Sequence, residues 1–334
     1  MKKGFSMAQM LFFVSVCTGL GGFFIANYCT EKASTTAWLS VVLGILICFL
    51  FVRAIIKNGG FERICEFRSA RLSFFISNFI LSVVLLSYFS NIIKEWILQD
   101  TKKILIISGL SLVCGIALFK KERALLYSVS FVGLFLLVFS LLTRGLIVFG
   151  GETEKIFPLF EKENLNLNFI LSSLAVFGVF SSASIITASN EKNISLKTWG
   201  TASFLCGIIF VLIILSCVVI LGAEQTAESY DAMVIAMRES ELLGRGDILY
   251  FTVWMFLIAA SITSVTVAAR NMIFIKKRGV VNLLITLAVF LISIFVSYAK
   301  NLTMYLVYTQ MVVSGGALVL SAIISIKKGG RNEG

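Results

Sequence analysis

The chain has 334 residues, of which 58% are hydrophobic and 14% charged, and its formal net charge is +11. So few polar residues cannot cover a water-soluble core, and repeated apolar runs approach the ~20 residues that span a bilayer. A water-soluble fold is therefore excluded, and we expect an integral membrane protein. Because the runs are continuous rather than alternating, and because backbone polar groups must be paired in hydrocarbon, the spans are predicted to be α-helices.

Ten hydrophobic spans are predicted along the chain, and the fold class is therefore an all-α polytopic membrane protein. The spans are 5-28, 35-56, 72-98, 104-119, 124-149, 166-188, 198-222, 248-274, 279-299 and 302-326. We expect one membrane domain, residues 1-334, with repeat one at 5-149 and repeat two at 166-326. Since each half has an odd number of helices, the second half enters the membrane from the opposite side, which predicts a five-plus-five inverted repeat.

Small residues interrupt the first span of each half. The first interruption is Thr18-Gly19-Leu20-Gly21-Gly22, and the second is Gly178-Val179-Phe180-Ser181-Ser182. Broken helices at matching positions are typical of a binding site at the membrane midplane, because unwound backbone leaves N–H and C=O groups free. Close packing of two continuous helices explains either interruption alone equally well. The predicted substrate-binding residues are Thr18, Gly19, Gly21, Gly22, Tyr88, Phe177, Gly178, Phe180, Ser181 and Ser182.

The residue types at the two interruptions indicate what they would bind. After the first break, a new half-helix offers unpaired N–H groups and a positive dipole end, which suit a carboxylate. At the second break, Ser181, Ser182 and Ser184 offer hydroxyls for an ammonium group or a cation. Tyr88 is predicted to close the site from outside, although a tyrosine near a span end is also typical of an interface anchor.

Charge placement predicts the orientation. With a cytoplasmic N-terminus, 19 of the 29 basic residues fall in inner segments, as the positive-inside rule requires. Both termini are therefore predicted to be cytoplasmic. The net positive charge faces anionic lipid headgroups, so the expected partner surface is the lipid bilayer and a nucleic-acid partner is not expected.

Three further features bear on mechanism. The outer segment 223-246 has apolar residues at helical spacing, which predicts an amphipathic helix that is either a thin lid over the outer mouth or a plain connector. Arg144 lies close enough to the outer end of its span to extend to the interface. The chain has no histidine, no paired intramembrane carboxylates and no metal-ligand spacing. An enzyme, a metal site and a cofactor are therefore not expected.

Several segments resemble the spore germination permeases, the B subunits of nutrient germinant receptors. The similar segments are Ser6 with Gln9, Trp38, Pro158-Leu159-Phe160, Leu221-Gly222-Ala223-Glu224, Tyr230-Asp231, Leu242-Leu243-Gly244-Arg245-Gly246-Asp247 and Trp254. These permeases belong to the amino acid, polyamine and organocation superfamily, so the resemblance implies a leucine-transporter-like fold with broken helices 1 and 6. It also implies that Ser261 and Ser264 resemble a hydroxyl pair that coordinates sodium in some members; bonding within their own helix is the alternative.

The resemblance favours a germinant receptor subunit in a bacterial cell membrane or the spore inner membrane. Such a subunit would bind a small nutrient, an amino acid first of all, at the membrane midplane. It would signal to other receptor subunits, namely a larger membrane subunit and a lipoprotein. The alternative is a secondary amino acid transporter, either sodium-coupled or facilitative. A membrane enzyme fits the residues least well.

Overall fold

The computed structural model describes residues 6–22, 24–119, 122–158, 160, 162–191, 194–229, 232–240, 246–273 and 278–329. Within these ranges the regular structure is entirely helical, with short 3₁₀ turns between some helices. The α-helices are α1 (Met7–Gly21), α2 (Ile25–Ala33), α3 (Ala37–Lys57), α4 (Gly60–Ile64), α5 (Arg68–Trp96), α6 (Lys103–Leu118), α7 (Glu122–Gly150), α8 (Leu167–Asn190), α9 (Leu196–Leu221), α10 (Ala223–Glu228), α11 (Ala232–Glu239), α12 (Gly246–Asn271), α13 (Arg278–Tyr298) and α14 (Lys300–Gly329).

The all-helical membrane fold is confirmed. Among the described residues, eight helical segments are long and apolar enough to cross a membrane, and one of these runs through α2 and α3. The described residues also contain two shorter apolar helices, α1 and α6. Each of the ten predicted spans coincides with one or two of these helices.

The predicted break in the first span is present. Helix α1 ends at Gly21 and α2 begins at Ile25. The absence of a side chain matters at Gly22, because a Cβ there would collide with the ring of Trp254 on α12 and lie 2.7 Å from the carbonyl oxygen of Thr18. The chain therefore separates into two half-helices at a point where α12 packs directly against its backbone.

The predicted break in the sixth span is wrong, because α8 is one continuous helix from Leu167 to Asn190. Its hydroxyls donate to carbonyls one turn earlier, Ser182 to Gly178 at 2.9 Å and Ser184 to Phe180 at 2.7 Å. Such back-bonding leaves the helical ladder intact. The small residues of α8 serve close helix packing, which was the other explanation that the sequence allowed.

The helices pack in an order that brings distant parts of the chain together. Helix α1 contacts α7, α8, α9 and α12, whereas α8 contacts α3 and α14, and α5 contacts α12, α13 and α14. We call the side of the bundle that holds Ser6 the N-terminal face and the other side the opposite face. Helices α2, α10 and α11 lie at the opposite face, where α10 packs on α2 and α11 packs on α9.

The segment predicted as one amphipathic helix contains two short helices instead. Ser229, which follows α10, has an extended backbone and interrupts the helical run. The predicted apolar stripe is nevertheless buried in the bundle, with Met233, Val234 and Met237 at most 1% exposed. Tyr230 and Leu242, apolar residues of the same predicted segment, lie outside the described residues.

Arg144 does not extend to the interface as the sequence suggested. Its side chain is 1% exposed, and its Nη1 donates to Ser216 Oγ of α9 at 2.8 Å. Ser216 in turn donates to the carbonyl of Ile213 at 2.9 Å. The reason is local, because α7 packs along α9 and places the hydroxyl of Ser216 within hydrogen-bonding distance of the guanidinium. The bundle therefore holds a cation inside its opposite half.

Candidate functional site

A small cavity lies beside the break between α1 and α2. Its volume is about 30 Å³, and its walls come from the break itself and from α5, α8 and α14. Leu20 and Phe24 flank the break on the cavity side. The other lining residues are Leu81, Val84, Leu85, Tyr88, Val179, Ser182, Val307, Gln310 and Met311. Apolar side chains dominate these walls, so the few polar groups would fix the orientation of any occupant.

Two polar lining residues, Gln310 and Ser182, belong to a hydrogen-bonded chain that joins three helices. Gln310 Nε2 donates to Ser314 Oγ at 2.9 Å and to Ser77 Oγ at 3.2 Å. The hydroxyls of Ser182 and Ser314 are 2.6 Å apart. Gln310 is 2% exposed, and its Oε1 has no hydrogen-bond partner within the described part of the chain. An amide oxygen in this position is available to accept a hydrogen bond from a cavity occupant.

Two of the predicted site residues line this cavity. Tyr88 of α5 is 3% exposed, so it is a buried wall residue rather than an interface anchor. Ser182 of α8 contributes its hydroxyl from the other side. These two residues thus lie at one cavity with the first break, and no break in α8 takes part.

The remaining predicted residues of α8 point elsewhere. Phe177 pairs with Phe51 of α3, with ring centroids 5.7 Å apart. Phe180 packs among core rings, and the Ser181 hydroxyl lies 4.0 Å from the sulfur of Cys48. Gly178 faces α14. These four residues pack α8 against its neighbours and do not line the cavity.

The glycines of the first break are positions of close approach. A Cβ on Gly19 would collide with Ser261 Oγ of α12, and one on Gly21 would lie 2.7 Å from the ring of Phe210 on α9. Thr18 Oγ1 and Ser261 Oγ are both fully buried, and neither has a hydrogen-bond partner among the described residues. By contrast, Ser264 Oγ donates to the carbonyl of Ala260 at 2.7 Å.

Hydrogen bonds close the bundle at its two faces. At the N-terminal face, Gln9 Nε2 approaches Glu191 Oε2 at 3.4 Å, and the backbone N–H of Ser6 donates to Thr198 Oγ1 at 3.1 Å. At the opposite face, Asn27 Nδ2 of α2 donates to the carbonyl of Ala227 at 2.6 Å. The cavity therefore lies between two sets of contacts that join α1 and α2 to the second half of the chain.

Sequence reasoning missed the contribution of α14. None of its residues was among the predicted site residues, whereas Gln310 lines the cavity and donates to Ser314 behind the wall. A signal was present, because the two residues lie one helical turn apart within an apolar span and therefore share a face. Their position opposite Ser182 depends on how α14 packs on α8, which periodicity does not reveal.

The fold and cavity define a polytopic helical membrane protein with a small, mainly apolar chamber beside a broken helix. A family model described as "Spore germination protein", the Spore_permease family, matches residues 5–302. The chain therefore belongs to the spore germination permease family. No curated protein sequence matches it. Membership of this family favours a non-enzymatic membrane protein.

Proposed function

We propose that the protein is the permease-like subunit of a spore germinant receptor and that it binds a small nutrient, most naturally an amino acid, in the cavity beside the α1–α2 break. The observation that carries the proposal is the meeting of three groups at one cavity: the start of α2, the unpaired amide oxygen of Gln310 and the hydroxyl of Ser182. The start of α2 would bind the carboxylate of the amino acid, and the amide oxygen of Gln310 would accept a hydrogen bond from its ammonium group. An aliphatic side chain of the amino acid would pack against Leu81 and Val84.

The size of the cavity links binding to a change of shape. A volume of about 30 Å³ is far below the ~300–1,000 Å³ of pockets that hold small molecules. The closed bundle must therefore expand before a nutrient enters. A ligand that prefers the expanded packing shifts the equilibrium toward it, and partner subunits that contact the moving helices would sense the shift.

The packing of the helices supports a five-plus-five inverted repeat. In such a repeat, each helix of the first half corresponds to one helix of the second half. We pair α1 with α8, α3 with α9, α5 with α12, α6 with α13 and α7 with α14. Two helices that contact each other then correspond to two helices that also contact each other. The contact of α1 with α7 corresponds to that of α8 with α14, and the contact of α3 with α8 corresponds to that of α9 with α1. The contact of α5 with α13 likewise corresponds to that of α12 with α6. Under this arrangement only the first of the two equivalent helices is broken.

The proposed orientation has the N-terminal face in the cytoplasm, because the basic residues concentrate in the connections at that face. Helices α10 and α11 then lie outside, where α10 would act as a lid bound to α2 through Asn27. The nutrient would approach from this side, and the membrane would be the bacterial cell membrane or the spore inner membrane.

A binding experiment with matched serine variants tests the proposal. The purified chain is titrated with amino acids, sugars and nucleosides, and ligand-induced thermal stabilisation is measured. We expect Ser182→Ala and Gln310→Leu to weaken amino acid binding about tenfold each, the equivalent of one hydrogen bond of ~1.4 kcal/mol. Ser173→Ala is the control, since Ser173 lies on the same helix, donates to the carbonyl of Phe169 and does not line the cavity. Equal binding by all variants would contradict the site.

One observation favours transport as a second candidate function. The partnerless hydroxyl of Ser261 lies beside the backbone of Gly19, and the preceding residue, Thr18, has a second buried hydroxyl without a partner among the described residues. Oxygen ligands suit a hard cation such as sodium. A sodium-coupled carrier would use this site together with the cavity. Uptake of labelled amino acid into proteoliposomes, driven by a sodium gradient, separates a carrier from a receptor that binds without flux.

A further inference from the structure

A second, smaller cavity lies among α5, α6, α12 and α13, away from the nutrient cavity. Its volume is about 10 Å³, which is close to the space that a single water molecule needs. Leu86, Ile262 and Val289 form its apolar walls, and it shares no lining residue with the nutrient cavity. Because its walls come from both halves of the chain, a molecule bound here would join the two halves.

Ser111 of α6 brings an unsatisfied hydroxyl group to this cavity. Ser111 is 7% exposed, and its Oγ has no hydrogen-bond partner in the described ranges. A buried hydroxyl group without a partner costs free energy, and native proteins satisfy most such groups through other protein atoms or through water. Since Ser111 lines the cavity, an occupant of the cavity can supply the partner.

Two threonines provide acceptors on the other walls. Thr266 Oγ1 of α12 donates to the carbonyl of Ile262 at 2.7 Å. Thr286 Oγ1 of α13 donates to the carbonyl of Asn282 at 2.8 Å. Each hydroxyl group thereby uses its single hydrogen within its own helix, and its oxygen keeps the capacity to accept. The occupant that fits these groups accepts a hydrogen bond from Ser111 and donates one to each threonine.

Water is the small molecule that meets these requirements. It has two hydrogens to donate and two lone pairs to accept, and buried waters typically make about three hydrogen bonds. The described residues that line the cavity include no charged side chain. A cation at this depth would therefore be a buried charge without an opposite charge beside it, which is far more costly than a buried water.

We propose that one water molecule binds in this cavity, where it accepts a hydrogen bond from Ser111 Oγ and donates to Thr266 Oγ1 and Thr286 Oγ1. The water links α6 to α12 and α13 at a place where the remaining wall contacts are mainly apolar. Under the proposed five-plus-five repeat, α5 and α6 correspond to α12 and α13, so the water lies where these equivalent pairs meet. The inference does not depend on nutrient binding.

The stability of alanine variants distinguishes a hydrated cavity from a dry one, because the sign of the effect differs. With water bound, Ser111→Ala removes a hydrogen bond and should raise the equilibrium constant of unfolding about fivefold. In a dry cavity, the same change removes a hydroxyl group that has no partner, so stability would stay equal or rise. Chemical unfolding of the purified full chain in detergent measures the equilibrium constant.

Ser203→Ala is the matched control for this measurement. Ser203 is fully buried, and its Oγ also lacks a hydrogen-bond partner in the described ranges, but it does not line the cavity. Its removal should therefore leave the equilibrium constant of unfolding unchanged or lower it. The difference between the two alanine variants isolates the contribution of the bound water.

Hydroxyl-radical footprinting detects the water directly. An X-ray pulse converts a bound water into hydroxyl radicals, which oxidise the side chains around it. Cys114 lines the cavity and is 5% exposed, so its oxidation reports water inside the bundle. Ser111→Val fills the cavity with methyl groups and should lower the oxidation rate of Cys114 several-fold. Ser108→Val, one turn earlier on α6 and outside the cavity lining, should leave that rate unchanged.

Three results would overturn the inference. One is a Ser111→Ala variant that is as stable as Ser203→Ala, and another is equal oxidation of Cys114 in the two valine variants. The third is a stability of the unaltered chain that falls when choline replaces sodium and that loses this dependence in Ser111→Ala, because a cation would then occupy the cavity. If Ser111→Val fails to fold, the alanine variants decide alone, since Ser111→Ala only removes an atom.

Discussion

Gly178 of α8 lies so close to Met311 of α14 that a Cβ built on the glycine would stand 2.6 Å from the Cβ of Met311 and 2.7 Å from its carbonyl oxygen. One turn further along α8, Ser182 forms its hydrogen bond to Ser314 of α14. The glycine therefore sets the distance at which the polar wall of the cavity assembles. Its role is to bring two continuous helices together, not to interrupt one of them.

Gly178→Ala is expected to destabilise the protein by about 1–3 kcal/mol, the usual cost of overpacking a close helix contact. The added methyl group meets backbone atoms of Met311, which cannot rotate away. The melting temperature of the detergent-purified protein measures the effect. Gly316→Ala on α14 is the control, because it is exposed with open space at its Cβ position. It should be neutral or stabilise by up to about 1 kcal/mol. Equal melting temperatures would refute this account of Gly178.

Gly178 also marks what the sequence could and could not predict. Hydrophobic runs located the long apolar helices of the described part of the chain, because a segment that crosses lipid must satisfy its own backbone hydrogen bonds. The break near Gly22 was predictable from the dense glycines. The same reasoning failed at α8, since small residues permit either an unwound backbone or a close neighbour. Only the path of α14, a long-range property of the fold, decides between the two.

The cavity residues were also only partly predictable from the sequence. Ser182 was predicted as part of the expected break in the sixth span, and Tyr88 as a polar residue of the third span that closes the site. Gln310 is polar within an apolar span as well, yet its position in the wall depends on how α14 packs against α5 and α8. The burial of Arg144 was missed for a similar reason, because its partner Ser216 is 72 residues away along the chain.

The Arg144–Ser216 pair gives a second prediction. Ser216→Ala removes the acceptor of a guanidinium hydrogen bond, which we expect to cost about 1.5–3 kcal/mol because one partner is charged and buried. Ser203→Ala on the same helix is the control. Ser203 is fully buried, and its Oγ has no partner within the part of the chain described, so its loss should leave stability unchanged or raise it. Chemical unfolding in detergent measures the free energy of unfolding of both variants. A Ser203→Ala loss as large as that of Ser216→Ala would show that simple truncation, rather than the arginine, is responsible.

The contact between α2 and α10 gives a third prediction. Asn27→Ala removes the hydrogen bond to the carbonyl of Ala227, and the loss of about 1 kcal/mol should make opening of the opposite face roughly fivefold more frequent. Cys29, two residues away on α2, is fully buried and reports the opening. Its labelling rate with a membrane-impermeant maleimide, resolved by peptide mass spectrometry, should rise by the same factor.

The control for this experiment is Asn58→Ala. Asn58 Nδ2 donates to the carbonyl of Ala54 at 2.8 Å, at the end of α3 near the N-terminal face. Its removal weakens a helix end and leaves the α2–α10 contact intact. The idea of a lid held by Asn27 fails if Cys29 labels at the same rate in the two variants.

The hydroxyl of Ser261 beside Gly19 gives the last prediction, which distinguishes Ser261 from Ser264. If sodium binds at this position, Ser261→Ala removes one oxygen ligand, and the sodium concentration for half-maximal amino acid binding should rise about tenfold, the equivalent of ~1.4 kcal/mol. Ser264→Ala should have no effect, because the hydroxyl of Ser264 is engaged with the carbonyl of Ala260 in its own helix. Binding is measured at constant ionic strength with choline replacing sodium, so that screening stays fixed. If amino acid binding by the unaltered chain does not depend on sodium, the predicted ion site is wrong. The argument for a sodium-coupled carrier then fails as well.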